Sequence, residues 1–213
     1  MALQGTLIWF CSLAVLSSAA PQHESLPQNC TSSGQLLEHL KVAVENSESL
    51  TSEWSAQETA QILLTLRSLN DILHQHQLKG CQDAEPKKCP EAKVPENGGL
   101  ICVRVANNSY CKPLCSHGYD FGFLRRSRIY EECTEQTGFK WRTQYIGGNT
   151  LAVCNAAALQ ISGASTAYFP KDQDCLTTKS NSQLQSSIID VFITELKGQG
   201  IQADSQSACL VCG

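Results

Sequence analysis

The densest charge in the chain is Arg125-Arg126-Ser127-Arg128, flanked by Lys112, Lys140 and Arg142. Clustered guanidinium groups bind carboxylates and sulfates through paired N–H donors. Arg125, Arg126, Arg128, Lys140 and Arg142 are therefore candidate binding residues for an acidic protein face or a sulfated glycan. The same run also reads as a processing site, with cleavage after Arg128. The plainer alternative is a solvated β-hairpin face compensated by Glu131, Glu132 and Glu135.

Other reactive side chains form weaker patterns. Gly163-Ala164-Ser165-Thr166-Ala167 is a nucleophile elbow with its last glycine replaced, which would make Ser165 the nucleophile of a secreted serine hydrolase. That elbow needs a strand, a strained turn and a helix inside a large α/β sheet, which a disulfide-divided chain of this length does not supply, so no catalytic residue is expected. His74 and His76 stand two apart on a predicted helix and point to different faces. His117 sits between a cysteine and a glycine, His23 and His39 are isolated, and no His-Glu-x-x-His pattern occurs, so neither a metal nor a cofactor is expected. Cys209-Leu210-Val211-Cys212 imitates a redox pair but does not open a helix after a strand, so a structural or chain-linking role is expected.

The elements that must position these groups begin with an address. Leu7 to Leu16 is apolar apart from Ser12, and Ser17, Ser18, Ala19 and Ala20 supply small residues for cleavage after Ala19 or Ala20. Such a run is too short to span about 30 Å of hydrocarbon, so residues 1–20 read as a signal peptide and no membrane span is expected. Of twelve cysteines, Cys11 would leave with this leader, and the rest suit an oxidising compartment. Eleven is odd, which allows a disulfide-linked homodimer. Sequons at Asn29 and Asn107 agree with export, and a net charge of −4 gives no reason to expect nucleic acid.

Residues 21–81 predict two antiparallel helices. No Gly or Pro interrupts Gln35 to Lys79, and Leu36, Leu37, Leu40, Ala43 and Val44 recur at helical spacing, as do Thr59, Ile62, Leu63, Leu66, Leu69, Ile72 and Leu73. Ser32 with Gln35 and Ser55 with Glu58 have capping-box form, and Gly80 marks the stop. Such a hairpin brings Cys30 and Cys81 to its open end, where a bond would contribute about 4 kcal/mol. Residues 82–88 form a polar linker. Residues 89–154 change to short β-type runs, such as Leu100 to Val105 and Phe121 to Leu124, among six cysteines. Cys102 and Cys111 are close enough for a local hairpin bridge.

Residues 155–213 carry a helix near 182–197, opened by Ser180-Asn181-Ser182-Gln183, with Leu184, Ile188, Val191, Phe192 and Leu196 on one face. Either Cys209 or Cys212 reaches back to Cys175, leaving the other as the odd thiol. The fold class expected is α+β and disulfide-rich, with a helical hairpin, a central small β module and a C-terminal segment with one amphipathic helix.

The middle module resembles the sushi, or complement-control-protein, family. The resemblance rests on Cys89-Pro90, Pro95-Glu96-Asn97-Gly98, Cys115-Ser116-His117-Gly118-Tyr119, Cys133, Trp141 and Cys154. It implies a compact β sandwich with Cys89 bonded to Cys133, Cys115 bonded to Cys154, and Trp141 packed between them. It further implies a non-enzymatic secreted protein that recognises an extracellular protein, with complement and innate immunity as the family's commonest settings. A glycan-binding matrix or mucosal protein using the arginine cluster is the alternative.

Overall fold

The computed structural model describes residues 32–47, 49, 54–81, 88–204 and 208–213. The expected leader, Asn29, Cys30 and most of the expected linker lie outside the described residues. The chain divides into two compact units, Met1–Arg67 and Ser68–Gly213.

Helix α1 is Ser33–Glu45, capped by the Ser32 hydroxyl, which accepts from the Gln35 amide at 3.3 Å. Helix α2 is Ala56–Gly80, with a reciprocal box in which Ser55 Oγ accepts from the Glu58 amide while Glu58 accepts from the Ser55 amide. Both helices lie where the apolar spacing put them, yet neither contains a buried residue.

The second unit is mixed helix and antiparallel sheet. Its main sheet has the order β4-β2-β1-β6, built from β1 (Gly98–Val105), β2 (Asn108–Cys115), β4 (Glu131–Cys133) and β6 (Ala208–Cys212). A smaller sheet pairs β3 (Tyr119–Phe121) with β5 (Cys154–Ala156). Strands β1 and β2 form a hairpin with Val105 opposite Asn108, and Ala106 at φ 55° takes the left-handed turn position. The Asn107 sequon is exposed in that two-residue turn. The run from Phe121 to Leu124 ends as a strand at Phe121, and Phe123 and Leu124 are exposed.

Two C-terminal helices complete the unit, α3 (Cys175–Ser180) and α4 (Ser182–Gly198). The cap of α4 is Asn181, one residue later than the sequence pattern suggested, with its side chain accepting from the Gln183 and Leu184 amides. Its buried face is Ile189, Phe192, Ile193 and Leu196, rotated from the expected one, so that Val191 is exposed. These side chains share a core with Ile101 and Val103 of β1, Tyr110 and Leu114 of β2, Leu210 of β6, and Phe169. The segment after Cys154 thus folds onto the sheet and supplies both a strand and a covering helix.

Five disulfides staple this unit: Cys81–Cys209, Cys89–Cys133, Cys102–Cys111, Cys115–Cys154 and Cys175–Cys212. Cys89–Cys133 and Cys115–Cys154 are the two pairings the resemblance implied, and Cys102–Cys111 is the local bridge read from spacing. Cys81 bonds Cys209 rather than Cys30, and Cys209 is not the odd thiol. The reason lies in β6, whose register sets Cys209 opposite Cys102 on β1. The last turns of α2 dock there too: Gln77 Oε1 accepts from the Cys212 amide at 3.1 Å, and His74 Nδ1 lies 3.1 Å from the Cys212 carbonyl. A bond across a sequence separation of 128 contributes about 5 kcal/mol in the chain-entropy model.

Glycine is required where the sheet meets its staple. A Cβ on Gly99 would stand 2.5 Å from Cys175 Sγ. Trp141 is buried beside Cys133, Cys102 and Cys111, with its Nε1 donating to the Pro90 carbonyl at 2.7 Å. Cys115 and Cys154 lie in a separate cluster with Phe121, Ala152 and Ala167, so Trp141 does not pack between the two bonds.

Candidate functional site

The arginine run lies in the loop from β3 to β4. The Arg128 amide donates to the Arg125 carbonyl at 2.9 Å, closing a turn that sends the two side chains to one carboxylate. Glu131 is that carboxylate, and its side chain is 1% exposed. Arg128 grips it through Nε and Nη2 at 2.5–2.9 Å, while Nη2 also donates to the Arg142 carbonyl. Arg125 stands 3.4 Å from the other oxygen, donates from Nη1 to the Leu151 carbonyl, and lies 5.0 Å from the Phe121 ring. Burial pushes the Glu131 carboxyl above its ordinary range, although Arg128 and Arg125 oppose the shift. Burial also lowers the Arg125 guanidinium, against the pull of Glu131.

The five cations therefore do not form one exposed surface. Arg125 is buried and unreachable, Arg128 is saturated by Glu131, and Arg142 pairs with Glu132 at 3.1 Å. Arg126 and Lys140 remain exposed, as does Arg142 despite its ion pair. The compensating glutamates were legible, but the face is a buried ion-pair knot rather than a solvated one. Lys112 belongs elsewhere: it is buried on β2 and donates to Glu195 of α4 at 2.5 Å and to Thr166 at 3.1 Å. Burial lowers its ammonium, and the bond to Glu195 opposes that.

A second construction begins at Asp120 on β3. Its carboxylate accepts from the Phe121, Ile161 and Ser162 amides, the Ser162 hydroxyl and the Tyr168 hydroxyl, at 2.5–3.2 Å. Burial alone would raise this carboxyl, but the Tyr168, Ser162 and backbone donors outweigh it and hold it at about 2. Burial and the bond to Asp120 push the Tyr168 phenol up to about 12. Tyr168 Oη in turn accepts from the Gly163 amide at 2.6 Å, and Gln160 donates to the Ser116 and Tyr119 carbonyls. A Cβ on Gly163 would collide with the Phe121 ring at 2.5 Å. The 160–168 loop is thereby pinned along its length. No sequence signal marked Asp120, because its partners lie about forty residues downstream.

This loop borders a cleft of about 670 Å³, lined in part by His117, Arg126, Gln160, Ser165, Tyr168 and Lys171. Ser165 opens a 3-10 turn, Ser165–Ala167, after the extended Ala164, rather than the strand-turn-helix of a nucleophile elbow. His117 shares the cleft, but among the described residues no hydrogen bond joins it to Ser165, and Asp120 is occupied by Tyr168 and Ser162. Among the described residues no group of three His, Cys, Asp or Glu side chains could hold a metal ion. No helix among them is long and apolar enough to cross a membrane.

An apolar ridge stands beside these groups. The Phe123 and Tyr145 rings lie 5.0 Å apart, and the Gly122 amide donates to the Val153 carbonyl at 2.9 Å. Phe123, Leu124, Ile146 and Val153 are all exposed. The sequence showed no such surface, because isolated apolar residues in loops carry no periodicity.

No protein-family model, no curated protein and no solved structure matches the chain. Disulfides on this scale are compatible with an oxidising, extracellular setting.

Proposed function

We propose that this is a secreted, glycosylated, non-enzymatic binding protein whose disulfide-framed β module recognises an extracellular protein. The observation that carries the reading is the ridge of Phe123, Leu124, Ile146 and Val153, exposed on a frame stapled by Cys115–Cys154. Contiguous exposed apolar surface on a rigid scaffold marks a protein-binding face, since it costs solubility and contributes nothing to folding. The resemblance to sushi modules places such partners among complement and other innate-immune proteins. The exposed Asn107, in the turn between β1 and β2, suits a glycan.

A photo-crosslinking residue at Leu124 or Ile146 tests this in serum or conditioned medium. A discrete adduct is expected, competed by unlabelled wild-type protein and not by the Leu124→Ser, Ile146→Ser variant. Absence of a competed adduct from both positions overturns the reading. Labelling of Ser165 by a serine-reactive phosphonate would replace it with the hydrolase.

Cysteine parity extends the proposal to assembly. Five bonds use ten of the twelve cysteines, leaving Cys11 and Cys30. With Cys11 in the expected leader, Cys30 is the cysteine left over, either as a free thiol or to link two chains. The secreted protein should run as a dimer without reductant and as a monomer after Cys30→Ser. A wild-type monomer removes the covalent dimer.

A further inference from the structure

Arg126, left exposed by the arginine knot, faces the cleft beside the 160–168 loop, whereas Lys140 does not line it. His117, Arg126 and Lys171 all line it, and no Asp or Glu side chain does. We propose that this cleft binds a carboxylate-bearing peptide segment, with an apolar residue next to the carboxylate. The proposal rests on the protein-recognition reading and names the chemistry of the partner.

Arg126 is adjacent to Arg125 in sequence and opposite to it in use. Its Nε donates to the Ile161 carbonyl at 2.8 Å, which fixes the side chain, while its terminal nitrogens have no acidic partner among the described residues. An anchored guanidinium with free terminal N–H groups suits a carboxylate fork. The nearest buried negative charge, Asp120, is already occupied by the Ile161, Ser162 and Tyr168 donors. Asp172 follows Lys171 but does not line the cleft.

The walls are fixed before any ligand arrives. Gln160, Gly163 and Tyr168 are each held by hydrogen bonds within the protein, so little ordering cost falls on binding. The volume of about 670 Å³ lies within the range of small-ligand and peptide pockets. What separates a peptide from a sulfated glycan is the pair of apolar residues on either side of Gln160 in the chain. Leu159 and Ile161 are exposed, and the Ile161 carbonyl is the group that holds Arg126. An aliphatic side chain beside a cation matches an acidic residue with an apolar neighbour, which a glycan does not offer.

The test is selection from a displayed random hexapeptide library against the intact secreted protein, counter-selected on an Arg126→Gln, Lys171→Gln double variant. Enriched sequences should carry Asp or Glu beside Leu, Ile, Val or Phe. A synthetic member should lose about tenfold or more in affinity on Lys171→Gln, on Arg126→Gln, and on converting its carboxylate to a carboxamide. Arg126→Gln also releases Ile161, so Lys171→Gln, which removes no hydrogen bond or ion pair among the described residues, keeps the test independent of loop position. No enrichment over the double variant overturns the proposal, as does enrichment of sequences without a carboxylate. Binding of a heparin hexasaccharide, lost in the same variants while no peptide is enriched, reassigns the cleft to glycan. If the library fails while the crosslinks from Leu124 and Ile146 persist, the cleft assignment falls and protein recognition stands.

Discussion

Arg125 and Arg126 are neighbours in the chain and belong to different regions of the molecule. Arg125 faces inward to Glu131, Leu151 and Phe121, where its charge holds the β3–β4 loop against the sheet. Arg126 faces the cleft with one backbone contact and its terminal nitrogens unpaired by any carboxylate among the described residues. One consecutive run of cations thus divides into a knot that stabilises and a cleft that is open to a ligand. Charge density in a sequence locates such a region without saying which members are consumed by the fold.

The knot can be broken at its centre, where the largest effect is expected. Glu131→Ala leaves Arg125 buried without a counter-charge and Arg128 without its bidentate partner. Removing one member of a buried ion pair costs about 3–5 kcal/mol. The unfolding midpoint in denaturant, measured with the disulfides intact, should fall accordingly. A change under about 1 kcal/mol would mean that the knot is solvated and that Arg125 is available for binding after all.

Asp120 supports the cleft side of the comparison and should show a middle-sized effect. Its folded carboxyl stands at about 2 against an ordinary 3.8. A depressed folded value means that the unfolded chain takes up protons first as pH falls. The contribution is complete above about 3.8 and is lost as pH drops toward 2, amounting to roughly 2 kcal/mol. Asp120→Asn should therefore destabilise by about that amount at neutral pH and flatten stability against pH between 4 and 2. An unchanged slope would show that the Ile161, Ser162 and Tyr168 donors do not bear on the charge.

How much of this was legible follows the range of the interactions. The bond between Cys102 and Cys111 is nearly local, and spacing was enough to read it. Cys81–Cys209 was not legible, because β6 must first add to the edge of β1, a pairing that spans half the chain. The α4 pattern contains apolar residues around much of the helix, so periodicity allowed either Ile188 with Leu184 or Ile189 with Ile193 as the inner face. The sheet selects the latter pair, through Ile101, Val103 and Leu210. The cationic run was visible as charge, and Glu131 was visible as its compensation. What no pattern carried was the position of Asp120, whose donors arrive from the 161–168 stretch only after β3 and β5 have paired.

The smallest stability effect is expected where the binding effect is largest. Lys171 is exposed and makes no hydrogen bond or ion pair among the described residues, so Lys171→Gln should leave the unfolding midpoint within about 0.5 kcal/mol of wild type. Arg126→Gln gives up one exposed hydrogen bond and should cost no more than about 1 kcal/mol. Glu131→Ala, far more destabilising, should still spare the cleft in whatever fraction remains folded, because no cleft residue touches Glu131 directly. Measured together, the three variants separate the regions by sign: stability falls with the knot, and affinity falls with the cleft. A Lys171→Gln protein as unstable as the Glu131 variant would place Lys171 in the fold's own electrostatics and leave the cleft one cation short of a site.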